Sequence, residues 1–184
     1  NSNVIFYTKK VNEECLRPNS QDFGYCLGVL HHVRDTQEGI NSCFKILKKN
    51  SPFLIYLYYR FDNKPIWFKI IWKASDLIRK TIMNLPFSMK KIITYIIALL
   101  IYLPLSKISK LFFKLGFEVK NFPLSDYKDK SFYFMSTDAL DRFGTRLEKR
   151  FTKIEIKQML EKAGFKDIEF SDSTPYWVCL AWKR

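Results

Sequence analysis

The chain has 184 residues, of which 47% are hydrophobic and 27% are charged, so it has the composition of a globular protein and the length of one domain. Its 31 lysines and arginines outnumber its 18 acidic residues, which gives a formal net charge of +13. The low glycine and proline content excludes collagen-like and low-complexity chains. No cysteine lies in a C-x-x-C pair, which argues against a zinc ribbon or a redox pair and favours a reducing, cytoplasmic compartment.

The first third of the chain predicts a β-α-β unit. The β-branched and aromatic residues Asn3–Tyr7 predict a short strand. The apolar run Phe23–Leu30, with its two glycines, predicts a buried strand that leads into a tight loop. A helix should begin after Asp35, because a glutamate follows three residues later as in a capping box. The apolar run Phe53–Tyr59 predicts the next strand, in a parallel sheet that is covered on both faces.

A basic and apolar segment follows. Ten lysines and arginines lie between Asn63 and Leu115 against one acid, Asp76, so this segment carries +9 of the net charge. Its apolar run Ile92–Leu105 has 14 residues, whereas a membrane-spanning helix needs about 20. A span is therefore not expected. We expect two or three helices that are broken at Pro86, Pro104 and Gly116.

Two interpretations of this segment stay open. It is either a buried part of a helical subdomain or an exposed element, which makes a peripheral contact with an anionic membrane through residues 63–115 or forms a lid over an apolar acceptor. The charge would also suit nucleic acid, but no nucleic-acid-binding motif accompanies it, and no nucleic-acid partner is expected. The expected location is the cytoplasm, with peripheral membrane association as the further option. The sequence does not indicate an oligomeric state.

The C-terminal part predicts a helix and a closing hairpin. Thr152 and Glu155 have the spacing of a capping box, and Gly164 stands where the helix should end. The runs Phe165–Phe170 and Tyr176–Trp182 predict two strands joined by a turn. We therefore divide the chain into a partial core at 1–61, a helical insertion at 62–136 and a closing helix and hairpin at 137–184.

Three segments resemble one family. Asp22–Val33, which reads Asp-Phe-Gly-Tyr-Cys-Leu-Gly-Val-Leu-His-His-Val, resembles the fourth strand and following loop of class I S-adenosylmethionine-dependent methyltransferases of type 11. Ile46–Phe53 resembles the turn into that family's fifth strand, and Glu161–Phe165 resembles the segment before its final hairpin. The resemblance covers about Asn3–Tyr59 and Thr137–Trp182. It implies an α/β fold with a partial Rossmann-like sheet, a helical insertion and a C-terminal antiparallel hairpin.

The resemblance also implies an enzyme with S-adenosylmethionine as its cofactor and a small-molecule or lipid-like acceptor. The positions that match cofactor-binding positions of the family are Val11, Asn12, Cys26, Leu27 and Gly28. The family's glycine-rich loop after the first strand and the acidic residue after the second have no counterpart here. We therefore expect the chain to be an N-terminally truncated portion of such an enzyme.

His31 and His32 are the only histidines and are the candidate catalytic residues. Because an unperturbed imidazole titrates near neutral pH, either is a candidate base for the proton of the acceptor. The alternative is that one packs under the loop while the other is solvated. A metal site is not expected, because adjacent histidines point apart and no carboxylate cluster accompanies them.

Four further residues are candidates for binding the acceptor. Tyr58 and Tyr59 end the strand after the first helix, and Arg142 and Arg146 lie in a polar stretch before the last helix. Core packing is the alternative for the tyrosines, and surface ion pairs in a connecting segment are the alternative for the arginines. The alternative for the whole chain is a non-catalytic scaffold that binds a membrane surface or an acidic partner through its basic apolar insertion.

Overall fold

The computed structural model describes residues 4–11, 13, 16–173 and 176–184. They form two compact units: a sheet unit, which consists of the residues up to Asp62 together with Leu147–Arg184, and a helical unit, Asn63–Arg146. The described α-helices are α1 (Thr36–Ile46), α2 (Ile66–Ile82), α3 (Phe87–Ile97), α4 (Leu103–Lys114), α5 (Phe132–Gly144) and α6 (Lys153–Ala163). The helical unit is thus an insertion in the sequence of the sheet unit.

The sheet unit is built on four strands, β1 (Gly24–Leu27), β2 (Pro52–Tyr56), β3 (Phe165–Phe170) and β4 (Val178–Lys183). Their order in the sheet is β1-β2-β4-β3. β1 and β2 are parallel, with α1 as their crossover, and β4 is antiparallel to both β2 and β3. The predicted α/β class, with a partial Rossmann-like sheet, a helical insertion and a C-terminal antiparallel hairpin, is confirmed.

Local signals place the start of both helices of the sheet unit and the end of α6. The carboxylate of Asp35 accepts a hydrogen bond from the backbone N–H of Glu38 at 3.0 Å, which caps α1. Thr152 and Glu155 form the predicted capping box at the start of α6. Gly164 ends α6 with a φ of +104°. These three predictions are confirmed, since each depends on residues within one helical turn.

The core of the sheet unit lies on one face of the sheet. Phe53 and Ile55 of β2 are buried in one cluster with residues of α1 and α6. On the other face, Tyr25 is 70% exposed and Leu27 is 47% exposed. The prediction of a sheet covered on both faces is therefore wrong for the described residues, because α1 and α6 pack on the same side.

The predicted strand at Asn3–Tyr7 is also wrong in its described part. Val4–Tyr7 has no regular secondary structure, and Phe6 is 89% exposed. A strand needs a neighbour that pairs with its backbone N–H and C=O groups. In the described sheet β1 occupies an end position and β2 is its one paired strand, so residues 4–7 have no partner there.

In the helical unit, the chain stays helical from Phe87 to Lys114, because a π-helical segment, Ala98–Tyr102, joins α3 to α4. The predicted break at Pro104 is therefore wrong. Pro104 is the second residue of α4, next to the end of the π segment, where the hydrogen-bonding pattern of the helix changes and a missing N–H is tolerated. The predicted breaks at Pro86 and Gly116 lie next to the ends of the long helix.

The predicted boundary of the insertion at residue 136 falls inside α5. Met135, Ala139 and Phe143 of α5 are buried in one cluster with Ala98 and Tyr102 of the long helix. α5 is therefore part of the helical unit, which extends to Arg146. Only the packing of α5 shows this, since its sequence is as amphipathic as that of a helix in either unit.

Candidate active site

The candidate site lies at the carboxyl ends of β1 and β2, where open α/β sheets bind their ligands. Gly28 follows β1 with a φ of +74°, and its N–H donates a hydrogen bond to the carbonyl oxygen of Tyr56 at 3.0 Å. A Cβ built on Gly28 would meet nothing nearer than Cδ1 of Tyr56, at 4.0 Å. The space beside this backbone is open, so a ligand can approach it closely.

A short turn brings both histidines to this end of the sheet. Leu30–His32 forms one turn of 3-10 helix, and the hydroxyl of Thr36 donates a hydrogen bond to the carbonyl oxygen of Leu30 at 2.9 Å. The two imidazole rings lie 4.1 Å apart between centroids. The predicted catalytic residues are therefore brought together, and they have different surroundings.

His31 is completely buried, and its ring stacks on the ring of Tyr58 at 3.7 Å. The backbone N–H of Tyr58 donates to Nδ1 of His31 at 3.4 Å. Because Nδ1 accepts, the proton of the neutral ring lies on Nε2, which is buried and has no hydrogen-bond partner among the described residues. Burial, with the nearby charges of His32 and Arg150, lowers the pKa of His31 to about 3. His31 is thus a neutral donor at pH 7.

His32 is half-buried and has the opposite tautomer. Its Nδ1 lies 2.7 Å from the carbonyl oxygen of Leu147. A carbonyl oxygen can only accept, so Nδ1 carries a proton and the lone pair of the neutral ring lies on Nε2. A hydrogen bond from Nδ1–H to a carbonyl orients the ring and leaves Nε2 available to accept a proton, as a general base requires.

Glu148 and Arg150, which the sequence did not indicate, complete the cluster. Nη2 of Arg150 lies 2.7 Å from Oε1 of Glu148, and these side chains are only 11% and 4% exposed, respectively. The guanidinium group lies over the ring of Tyr58 at 5.2 Å. In the part of the chain that the structure describes, Oε2 of Glu148 is buried without a hydrogen-bond partner. Charged residues two positions apart are too common for the sequence to single out this pair.

The predicted cofactor positions lie around the same end of the sheet unit. Cys26 is half-buried, and burial raises the pKa of its thiol. Val11 is 37% exposed and lines a cleft of about 470 Å³ with the first turn of α1. Asn12 lies outside the described residues. A second cleft, of about 480 Å³, lies between α6 and β3 and contains none of the predicted site residues.

The predicted acceptor-binding residues lie in three places. Tyr58 belongs to the histidine cluster. Tyr59 packs against Phe61 at 4.6 Å and Tyr176 at 5.5 Å between ring centroids, on the core side. In the helical unit, Arg142 lies in α5 and Arg146 follows that helix. The roles predicted for these residues, for the histidines and for the cofactor positions stay predictions.

No family model matches the chain, and no curated protein matches it. Among solved structures, an S-adenosylmethionine-dependent methyltransferase from Thermotoga maritima, described as a possible histamine N-methyltransferase, is 12% identical with a TM-score of 0.47. The match covers 98% of this chain and 65% of that chain. An S-adenosylmethionine-dependent methyltransferase from Methanosarcina mazei is 12% identical with a TM-score of 0.46, over 95% of this chain and 65% of its own.

Human N-acetylserotonin methyltransferase, solved in complex with S-adenosylmethionine, is also similar. It is 12% identical over 100% of this chain and 34% of its own length, with a TM-score of 0.48. This chain therefore spans less than two thirds of each of the three proteins. At these identities and TM-scores, the likenesses carry no argument about the activity of this chain.

Proposed function

We propose that the chain is a portion of an S-adenosylmethionine-dependent methyltransferase that acts on a small-molecule or lipid-like acceptor. The observation that carries this proposal is the loop at Gly28. It belongs to the segment Asp22–Val33, which resembles the type 11 family in sequence, and it follows one of two parallel strands with open space beside its backbone. A glycine with positive φ at this place suits the close approach of a cofactor.

The described residues fit one end of this cofactor. Cys26, Leu27 and Gly28 border the open loop, and the buried Nε2–H of His31 lacks a protein acceptor in the described part of the chain. The sequence contains no glycine-rich loop for the adenosine end. Bound at this loop, S-adenosylmethionine would supply an electrophilic methyl group. The residues of this chain would then orient the acceptor and handle its proton.

His32 is the residue that we assign to proton abstraction. The carbonyl oxygen of Leu147 holds Nδ1–H, so Nε2 accepts the proton of the acceptor and the carbonyl stabilises the resulting imidazolium. We assign His31 a different task, since a pKa of about 3 makes it a weak base. Its ring is completely buried and stacks on Tyr58, so we assign it to positioning that tyrosine ring, which also lies against His32.

Cofactor binding tests the proposal most directly. In the full-length gene product, Gly28→Val should weaken the binding of S-adenosylmethionine, measured by isothermal titration calorimetry, by roughly tenfold or more, because the side chain fills the open space. Gly116→Val is the matched control, since Gly116 also has a positive φ, +85°, with no atom within 4 Å, but lies in the helical unit. Absence of binding in the unmodified protein, as a scaffold would show, or equal losses in both variants would contradict the proposal.

Turnover tests the role of His32. We expect His32→Gln to lower the formation of S-adenosylhomocysteine, with a lipid and metabolite extract as the source of acceptor, by about a hundredfold. The affinity for S-adenosylmethionine should stay unchanged, because the substitution removes a base and not a cofactor contact. Unchanged turnover in this variant would show that His32 is not the base.

A further inference from the structure

The long helix of the helical unit, Phe87–Lys114, buries small and hydroxylated side chains and exposes aliphatic ones. Its buried positions follow one helix face: Thr94, Ala98, Tyr102, Ser106 and Ser109. Ile93, Ile97 and Leu103 are partly buried against the same cluster. The outer side of the helix carries large apolar side chains that are 41–67% exposed: Ile92, Tyr95, Ile96, Leu99, Leu100, Ile101 and Ile108. A helix on the surface of a water-soluble protein has the reverse arrangement, with its apolar side against the core. Lipid-facing helices instead place small and hydroxylated residues at helix contacts and apolar ones outside.

α2 independently shows the same arrangement, with polar side chains buried and apolar side chains exposed. Arg79 is only 8% exposed and its Nε lies 2.8 Å from the carboxylate of Asp76, so this ion pair is on the inner side of the helix. Ile66, Ile70 and Leu77 share one stripe and are 77%, 62% and 69% exposed. In water, a helix would favour the opposite arrangement, with the ion pair exposed and the aliphatic side chains buried.

The composition of the long helix agrees with a lipid environment. Among the described residues, Phe87–Lys114 is the one helix that is long and apolar enough to cross a membrane, with a mean hydropathy of 1.9 over an 18-residue window. Length and composition alone do not separate such a helix from the core helix of a soluble protein. Only 28% of that window is buried, whereas a core helix is mostly buried, so the burial agrees with a helix that faces lipid.

The packing of α5 favours a helix that lies on the membrane over one that crosses it. α5 contacts both α2 and α3, and it carries Asp138, Asp141 and Arg142. The carboxylate of Asp138 accepts a hydrogen bond from the hydroxyl of Tyr127 at 2.6 Å. If the long helix crossed the bilayer, the charges of α5 would enter the hydrocarbon region, which is costly.

The charge of this surface is complementary to anionic lipid. The segment Asn63–Leu115 carries a net charge of +9, and exposed lysines accompany the apolar side chains on both helices: Lys73, Lys80, Lys91, Lys107 and Lys114. A lysine can lay its aliphatic stem along an apolar surface while its ammonium group reaches a phosphate.

We propose that the helical unit binds the surface of an anionic lipid bilayer. The exposed apolar side chains of α2 and of the long helix enter the boundary between headgroups and acyl chains, and the lysines contact the lipid phosphates. This surface belongs to the helical unit, whereas the histidine cluster belongs to the sheet unit, and the inference holds whether or not the sheet unit transfers methyl groups.

Vesicle co-sedimentation of the full chain tests this proposal. We expect binding to phosphatidylcholine vesicles that contain about a third phosphatidylglycerol, and much weaker binding to pure phosphatidylcholine. Leu77→Ser and Leu100→Ser should each weaken binding by about tenfold or more, because each removes an exposed side chain that the lipid would bury. Ile154→Ser is the control, since Ile154 is 68% exposed on α6 of the sheet unit and should not affect binding.

The lysines are tested separately. Lys107→Gln and Lys114→Gln should each weaken binding to the anionic vesicles by about fivefold and leave the weak binding to pure phosphatidylcholine unchanged. Lys166→Gln, at an exposed position of β3, is the matched control. Circular dichroism of each variant checks that its helix content is unchanged.

Three results would overturn the proposal. The first is equal binding to both kinds of vesicle, or to neither. The second is a discrete dimer in solution that Leu77→Ser and Leu100→Ser dissociate, which would assign these faces to a second copy of the chain. The third is quenching of Trp67, which is 46% exposed, most strongly by lipids brominated near the bilayer centre, because a surface-bound helix is quenched by shallow labels.

Discussion

Nδ1 of His31 accepts a hydrogen bond from a backbone N–H, whereas Nδ1 of His32 donates one to a backbone carbonyl. Neighbouring residues with the same side chain therefore hold their protons on different nitrogens. Both could be placed after β1 from the sequence, because the strand and its loop are local features. The tautomers could not, since they depend on Tyr58 and Leu147, which lie 27 and 115 residues away from their respective partners.

The buried imidazole makes stability depend on pH. The pKa of His31 falls from its ordinary value of 6.5 to about 3 on folding, so between these values the unfolded chain binds more protons. The free energy of unfolding should therefore decrease as the pH is lowered from about 6.5 towards about 3, by up to about 1.4 kcal/mol per pH unit. Urea denaturation at pH 7 and at pH 5 measures this loss, which should be about 2 kcal/mol over the two pH units.

His31→Phe should reduce that slope, because the variant has no imidazole to protonate in the unfolded chain. His32→Gln is the comparison, since the ring of His32 is only half-buried, and it should keep the slope of the unmodified protein. If His31→Phe and the unmodified protein lose stability equally on acidification, then the buried ring of His31 is not its source.

Among the elements, α6 and the long helix differ in how well local signals described them. The capping box at Thr152 and the stop at Gly164 could be read directly, because each acts within four residues. The prediction of a helix break at Pro104 was wrong. A proline breaks a helix only where another residue's N–H would donate a hydrogen bond within that helix. The π segment Ala98–Tyr102 changes that hydrogen-bonding pattern, and it has no clear sequence signature.

The cap of α6 has a measurable contribution. The hydroxyl of Thr152 accepts a hydrogen bond from the backbone N–H of Glu155 at 3.2 Å, so Thr152→Ala should lower the free energy of unfolding by about 1 kcal/mol. Thr81→Ala is the matched control, because Thr81 is exposed inside α2 and alanine favours a helix interior. Urea denaturation of both variants gives the comparison, and equal losses would argue against a capping role.

The molecule as a whole carries its excess charge unevenly. The helical unit, Asn63–Arg146, accounts for +9 of the net charge of +13. Many of the described ion pairs join exposed side chains, such as Lys48 with Asp22 and Lys157 with Glu161. Pairs of this kind contribute little to stability, so repulsion among the lysines is not offset by them.

Salt should therefore stabilise the protein in the absence of lipid. Raising the ionic strength from about 10 mM to about 150 mM shortens the Debye length from about 30 Å to about 8 Å and screens repulsion between the lysines. We expect the midpoint of thermal unfolding to rise. The double variant Lys91→Glu and Lys107→Glu should show a smaller rise, and the corresponding arginine variants should behave like the unmodified protein. A midpoint that falls with salt would mean that attractive ion pairs outweigh the repulsion.

Elements whose signals are local could be predicted from the amino-acid sequence. The β-α-β unit, the closing hairpin, both caps of the sheet unit and the place of His31 and His32 all follow from neighbours within a few residues. The sequence did not determine that Val4–Tyr7 would lack a paired strand, or that Glu148 and Arg150 would join the histidines. Pairing and proximity of that kind depend on segments that are distant in the chain.

The helices of the helical unit show most clearly which features could be predicted from the sequence and which depend on tertiary packing. The sequence indicated that this segment is helical, basic and apolar. The packing of the helical unit shows that the faces with Arg79, Thr94 and Ser106 turn inwards. A helix can pack against α5 through either face, and the choice depends on which side chains meet at that contact and on what surrounds the other side.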